Sequence, residues 1–304
     1  MENINKGFQK VARMGAKVCF CIAFCMFSYL FAPDNKLSLY NLTQKHPLRV
    51  LLNDFKNYKT KNTDFHAGDL YEHSIWSANT VVQWWQEESE WVEGINPKYM
   101  GLTVVSSLLH DVGKAGDLKF VYKCKKSHPH VGFEYLMGCR PYLIALNGVK
   151  KWNLNHVLSQ LPLTKLEKKV AAVLCGIHWD YGEIVLKSIC NLRKQNMLTQ
   201  KAKDEIFYKY LSALQKVCAD AGYRNGQIDD QILRMAILIS AADVRGVRCN
   251  KYSNNIFVYV PSEIHKAKVD PYKQLNYEEC GLKARRGLLN YYKEKWKNTF
   301  RLFF

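Results

Sequence analysis

A histidine and an aspartate stand side by side at the end of an apolar segment, "VVSSLLHDVGK", residues 104–114. At 100° per residue, the aliphatic side chains fall on one side of a helix, whereas His110 and Asp111 fall on the other, next to two small serines. A buried carboxylate without a partner is costly, and a cation would remove that cost. An imidazole and a carboxylate together suit a divalent ion of the Mn, Fe, Ni or Zn type. For this motif alone, a hydrogen-bonded His–Asp pair or a helix cap is the alternative.

Four more residues of these ligand types stand at the edges of separate apolar segments: His73 in "LYEHSIWSA", His128 in "SHPHVGFEYL", His178 in "GIHWDYG" and Asp243 in "LISAADVRG". One buried histidine is most often a core residue with satisfied hydrogen bonds. Asp243, however, ends the most apolar helix of the chain, where a carboxylate without a partner would be hard to tolerate. Convergence of all six side chains on one site explains their surroundings better than six separate core roles. The sequence therefore predicts a metal centre.

The elements that must position these residues are predicted to be helices. They cover residues 69–86, 99–113, 163–178 and 229–243. Asp69 is a candidate N-cap of the first helix, and Thr164 with Glu167 has the spacing of a capping box for the third. The last of the four is apolar nearly all round, which predicts a central helix. Strand character is clear only over 254–263, so the predicted fold is mostly α, with a small β or irregular element near the C-terminus.

The composition is that of a globular protein, since 48% of the 304 residues are hydrophobic and 23% are charged. We expect one main domain over 40–250, preceded by an apolar and basic segment, 1–39, and followed by a basic appendage, 251–304, with a short strand pair and a helix. An apolar run that ends before Pro33 is shorter than the roughly 20 residues of a spanning helix. Residues 16–32 are therefore interpreted as a docking helix, with a membrane anchor and a cleaved signal as alternatives.

The cysteines give information about the cellular compartment, and the net charge gives information about possible partners. The ten cysteines form no C-x-x-C pair, which indicates a reducing, cytoplasmic setting without a disulfide framework. The net charge of +17 favours a polyanionic partner, with a lysine-rich solvated surface as the alternative. Basic clusters that could follow a nucleic-acid backbone lie at 56–62, 119–126 and 283–301.

The order of the candidate ligands resembles the H…HD…D signature of the HD-domain phosphohydrolase superfamily over residues 66–246. "YEHSIWSA" is similar to the first-histidine helix of that family, "HDVGK" to its most diagnostic segment and "AADVRG" to its last-aspartate helix. "HPHVG" and "IHWDYG" are similar to the segments that supply additional ligands in binuclear members. By position before the glycine, His128 matches the family ligand, and His130 is the alternative. "HWDYGEI" lacks the paired histidine and GYP tail of the cyclic-di-nucleotide branch, so that substrate is not expected.

The resemblance implies an HD-domain helical bundle that holds two divalent ions, with Mn, Fe, Ni, Zn and Mg as candidates. The first ion would be bound by His73, His110, Asp111 and Asp243, and the second by His128 and His178 with Asp111 as the bridge. A hydroxide activated by the metal would then hydrolyse a phosphomonoester or phosphodiester, most plausibly of a nucleotide.

The resemblance also assigns roles around the metal centre. Asp111 and Lys114 are the implied catalytic pair, because Lys114 occupies the position of the family lysine and would neutralise charge on the phosphoryl oxygens. Candidate contacts to substrate are His66, Asp69 and Arg245, although a loop, a cap and a solvated arginine are their alternatives. A nuclease that uses the basic clusters, and a silent HD-fold sensor or scaffold, are the competing functions.

Overall fold

Helices dominate the computed structural model, which describes residues 47–55, 70–115, 127–139, 143–144, 151–161, 163–246, 251–253, 256–258 and 277–296. These residues belong to one unit, 46–304. Several predicted features lie outside the described residues: the segment 16–32, the basic clusters 56–62 and 119–126, and the residues His66 and Asp69. Within the described part of the chain, no helix has both the length and the apolarity needed to cross a membrane.

The described α-helices are α1 Pro47–Asn53, α2 Leu70–Gln86, α3 Met100–Leu109, α4 His128–Leu136, α5 Leu154–Ser159, α6 Lys165–Ile177, α7 Lys187–Lys194, α8 Gln200–Asp220, α9 Asp230–Gly246 and α10 Tyr277–Tyr291. Short 3-10 helices cover Pro97–Tyr99, Val112–Ala115 and Arg224–Gly226, and π-helical segments cover Tyr181–Leu186 and Tyr292–Trp296. Two antiparallel strand pairs complete the description: β1 Leu143–Ile144 with β2 Lys151–Trp152, and β3 Lys251–Ser253 with β4 Ile256–Val258. The predicted mostly α bundle is confirmed.

Helix α9 lies at the centre of the bundle, as its sequence predicts. It packs against α2, α3, α6 and α10. Its middle residues are fully buried, including Leu233, Ile237 and Ile239. A helix that is apolar on all sides is stable only when neighbours cover every side, and these four helices supply that cover.

Two of the predicted helix boundaries can be compared with the structure. Helix α6 begins with the predicted capping box, in which Thr164 Oγ1 accepts from the amide of Glu167 (3.1 Å) and Glu167 Oε2 accepts from the amide of Thr164 (2.7 Å). Helix α3, in contrast, ends at Leu109, four residues before the predicted end. The chain tightens there into the 3-10 turn Val112–Ala115, whose first bond runs from the amide of Lys114 to the carbonyl of Asp111 (2.8 Å).

Two glycines explain why the chain turns at this point. A Cβ on Gly113 would lie 2.0 Å from the carbonyl oxygen of His128 and 2.7 Å from the amide nitrogen of Gly132. A Cβ on Gly132 would lie 2.5 Å from Cys175 Sγ on α6. The backbone after α3 therefore packs directly on the first turns of α4, and α4 packs closely on α6.

The C-terminal helix α10 packs against α8 and α9. Its buried Arg285 donates from Nη2 to the carbonyl of Glu93 (2.6 Å), and the carbonyl of Gly281 accepts from the Tyr181 hydroxyl (3.0 Å). Hydrogen bonds therefore tie α10 to Glu93 and to Tyr181, three residues after the predicted ligand His178.

Candidate metal centre

Six predicted ligand residues come together from five helices. His73 lies in the first turn of α2, and His128 is the first residue of α4. His110 and His178 are the C-cap residues of α3 and α6, and Asp111 follows His110. Asp243 lies in the last turn of α9. Each side chain thus extends from the end of a helix, and the packing of these helices brings the ends together.

The first cluster contains His73, His110, Asp111 and Asp243, all of them buried. His73 Nε2 lies 3.1 Å from His110 Nε2, 3.3 Å from Asp111 Oδ2 and 2.9 Å from Asp243 Oδ1. His110 Nε2 lies 3.6 Å from Asp111 Oδ2 and 3.3 Å from Asp243 Oδ1. Four nitrogen and oxygen atoms therefore surround one small volume.

A second cluster shares Asp111 through its other carboxylate oxygen. Asp111 Oδ1 lies 3.1 Å from His128 Nε2 and 3.4 Å from His178 Nε2. The two imidazole nitrogens lie 3.2 Å from each other. One oxygen of Asp111 thus belongs to each cluster, and the carboxylate lies between them.

Backbone carbonyls determine which nitrogen of two histidines carries the proton. His110 Nδ1 lies 2.6 Å from the carbonyl oxygen of Ser107, and His178 Nδ1 lies 2.7 Å from the carbonyl oxygen of Cys175. A carbonyl can only accept, so each Nδ1 donates. Because burial disfavours the charged ring, the pKa of His110 lies below its ordinary value, and the ring stays neutral. Its Nε2 therefore presents a lone pair to the first cluster.

The first cluster consequently contains more acceptors than hydrogen-bond donors. Burial lowers the pKa of His73, but its hydrogen bonds and charge interactions with Asp111 and Asp243 outweigh this and raise the pKa to about 9. The single Nε2–H of a protonated His73 faces three acceptors: His110 Nε2 and an oxygen of each aspartate. One proton cannot satisfy all three, whereas a cation at their centre can.

The spacing of the ligand atoms fits an ion of ordinary size. Metal–ligand bonds of about 2.1 Å separate neighbouring ligand atoms by about 3.0 Å in octahedral and about 3.4 Å in tetrahedral geometry. The measured separations in the first cluster run from 2.9 to 3.6 Å. Those in the second cluster run from 3.1 to 3.4 Å. The described residues could therefore hold a metal ion at either cluster.

The centre opens to solvent on one side. The side chains of His73, His110, Asp111 and His178 are almost completely buried. The side chain of His128 is 21% exposed, and that of Lys114 is 15% exposed. Lys114 Nζ forms an ion pair with Asp111 Oδ2. Burial would raise the pKa of the Asp111 carboxyl, but the charge of Lys114 holds it well below its usual range.

The remaining predicted site residues are placed differently. His130, the alternative to His128, points to Glu134 Oε1 (3.2 Å) one turn later on α4 and is not part of either cluster. The guanidinium carbon of Arg245 lies 5.8 Å from the centre of the Trp84 ring. A contact between Arg245 and substrate stays a prediction, as do the contacts expected for His66 and Asp69, which lie outside the described residues.

Two residues at the centre have roles that the sequence analysis did not assign. The thiol of Cys175 donates to the carbonyl of His110 (3.0 Å), while its own carbonyl accepts from His178. Burial raises the pKa of this thiol, which keeps the proton needed for that bond. The ring of Trp179 lies 5.6 Å from that of His128, nearly perpendicular to it. The sequence feature that could have indicated this position of Trp179 is that it directly follows the predicted ligand His178.

Comparison with known proteins adds no relative to this description. Neither the scan against protein-family models nor the searches of curated proteins and solved structures returned a match.

Proposed function

We propose that this chain is an HD-type phosphohydrolase that binds two divalent ions and hydrolyses a phosphate ester of a nucleotide. The observation that carries the proposal is the position of Asp111, which offers one oxygen to each of two histidine-containing clusters. A carboxylate shared in this way is the usual link between paired metal ions in phosphate-cleaving enzymes. The order of the clustered residues along the chain adds the resemblance to the HD superfamily.

The ligand types favour transition metals over magnesium. Two histidines and two carboxylates form the first cluster, and two histidines share one carboxylate in the second. Imidazole nitrogen suits Mn, Fe, Ni and Zn, whereas Mg prefers oxygen ligands and retains several waters. Ions of this kind would lower the pKa of a water molecule and withdraw charge from a bound phosphoryl group.

The charge balance of the centre favours an anionic substrate. Among the residues that the structure describes, the clusters contain two carboxylates, Asp111 and Asp243, and Lys114 adds a positive charge at Asp111. Two divalent ions would leave this centre with a net positive charge. A phosphate group is the biological anion that such a centre would attract.

Lys114 is the residue that we propose to act on the substrate directly. Its ammonium group contacts Asp111 Oδ2 and is partly exposed on the open side of the centre. From this position it would hold the shared carboxylate and donate a hydrogen bond to a phosphoryl oxygen as negative charge develops there.

The described part of the basic C-terminal cluster gives little support to the nuclease alternative. Over 283–296, Lys283 pairs with Glu279, Lys295 pairs with Asp204, and Arg285 is buried against Glu93. Each of these three cations therefore has a local partner. A sensor or scaffold that binds metal without turnover is the remaining alternative, and the experiment below separates it from an enzyme.

The experiment is metal analysis of the purified chain joined to a screen of phosphate esters with Mn²⁺. We expect Asp111→Ala to remove both ions and all turnover. His128→Ala should leave one ion and lower turnover at least about 100-fold, because only the second cluster loses a ligand. His130→Ala is the matched control, since that histidine lies on the same helix but outside the clusters. Turnover in Asp111→Ala would refute the proposed mechanism, and stable metal binding without turnover of any ester would favour the sensor.

A further inference from the structure

Trp179 combines strong exposure with a position beside the candidate metal centre. Four large apolar side chains of the described residues are exposed: Leu166, Trp179, Met197 and Tyr208. Trp179 directly follows His178 in the chain and is 43% exposed. An exposed indole offers a flat apolar face on which a ligand can pack.

The indole borders the open side of the centre. Its ring lies 5.6 Å from the His128 ring, at an interplanar angle of 85°. His128 and Lys114 are the residues through which the centre reaches solvent, whereas the other ligand side chains are almost completely buried. A substrate whose phosphate lies at His128 would therefore have the Trp179 ring beside it.

A planar aromatic group is the chemistry that such a ring recognises best. Nucleobases stack on exposed aromatic side chains, and the interaction tolerates all four bases because each has a π-face. Sugar phosphates without a base have no such surface. The juxtaposition of a phosphate-binding centre and an exposed indole thus suits a nucleotide better than a simple phosphate ester.

We infer that Trp179 is a stacking platform for the base of the substrate and selects nucleotides over baseless phosphate esters. This inference rests on the proposed function only for the location of the phosphate. Trp179 acts on the part of the substrate that does not react. Its removal should therefore weaken the binding of base-bearing compounds and leave the metal content unchanged.

The test compares adenosine 5′-monophosphate with ribose 5-phosphate on the Mn²⁺-loaded full chain. For Trp179→Ala we expect kcat/KM to fall about 10-fold for the nucleotide, within the range of base–aromatic stacking. The value for ribose 5-phosphate should change less than about twofold. Trp179→Phe should recover most of the loss, because it restores an aromatic face. Tyr208→Ala is the matched control, since Tyr208 is an exposed aromatic residue that contacts Trp296 on the C-terminal segment.

The remaining outcomes separate this inference from the proposed function. An equal loss for both compounds would show that Trp179 only positions His128, and it would overturn the inference. A wild-type chain that hydrolyses both compounds equally well would also overturn it, while the proposed function would stand. If neither compound is hydrolysed, calorimetric titration with the same pair decides. Binding that depends on the base and on Trp179 would support the platform although the proposed function fails, and binding of neither compound would refute the platform.

Discussion

Replacing Gly113 with alanine should separate the two clusters. The added Cβ would lie 2.0 Å from the carbonyl oxygen of His128, although real Cβ contacts are essentially never closer than 3.0 Å. The added Cβ is bonded to the backbone of the turn, and the carbonyl oxygen of His128 is part of the backbone of α4, so neither atom can move away by a side-chain rotation. Either the turn after α3 or the start of α4 must therefore move by about 1 Å. In both cases the distance between Asp111 and His128 changes.

The size of this movement determines whether the second cluster can still bind an ion. Metal ligands keep their distances to within about 0.2 Å, so a shift of about 1 Å is several times what the second cluster can absorb. If the wild type binds two ions as proposed, we expect Gly113→Ala to bind one. The overpacking itself should lower the free energy of unfolding by about 1–3 kcal/mol.

Metal content after dialysis and urea denaturation of the metal-free chain measure the two effects separately. Gly182→Ala is the control, because a Cβ there would meet only Val244 Cγ2 at 3.8 Å, an ordinary contact. That variant should keep both ions and be as stable as the wild type or slightly more stable, since alanine favours helical backbone. Full metal content and unchanged stability in Gly113→Ala would refute the close packing of the turn on α4.

Two further predictions concern the charges at the centre. Lys114→Gln leaves all six ligand side chains in place, so we expect unchanged metal content with turnover lowered about 100-fold in steady-state kinetics; unchanged turnover would exclude a direct role for Lys114. In the metal-free chain, His73 with a pKa of about 9 stabilises the fold fully below pH 6.5 and loses this effect as the pH rises through 9. Urea denaturation should therefore show a loss of about 2–3 kcal/mol from pH 6.5 to 9 in that chain. The loss should be absent from the metal-loaded chain, where the ion replaces the proton; a flat profile without metal would contradict the His73–aspartate contacts.

The helices were predictable because their patterns are local. The capping box at Thr164 and the apolar surface of α9 depend on residues a few positions apart, and both are confirmed. The end of α3 was not predictable in this way. After Leu109 the chain tightens, and Gly113 packs on the backbone of His128, a contact between segments that no local pattern contains.

The clustering of the six ligands was predictable for a different reason. Ionisable residues within apolar segments need partners, and each of these segments carries one or two. That argument works for buried groups and gives no information about exposed ones. The position of Trp179 and the pairing of Lys283 and Lys295 with acids depend on which surfaces meet, so the sequence alone does not indicate them. A role of the basic clusters in binding nucleic acid stays a prediction.

The position of two histidines at helix C-termini explains how the centre is held ready for a cation. The last carbonyls of a helix lack intrahelical partners, and those of Ser107 and Cys175 accept the Nδ1 protons of His110 and His178. The same bond that satisfies each carbonyl also fixes the ring and turns its Nε2 atom towards Asp111. Because helix formation itself supplies these bonds, the orientation of both rings does not depend on a bound ion. A metal ion would thus meet two imidazole rings that are already oriented, and less of its binding free energy would be spent on ordering them.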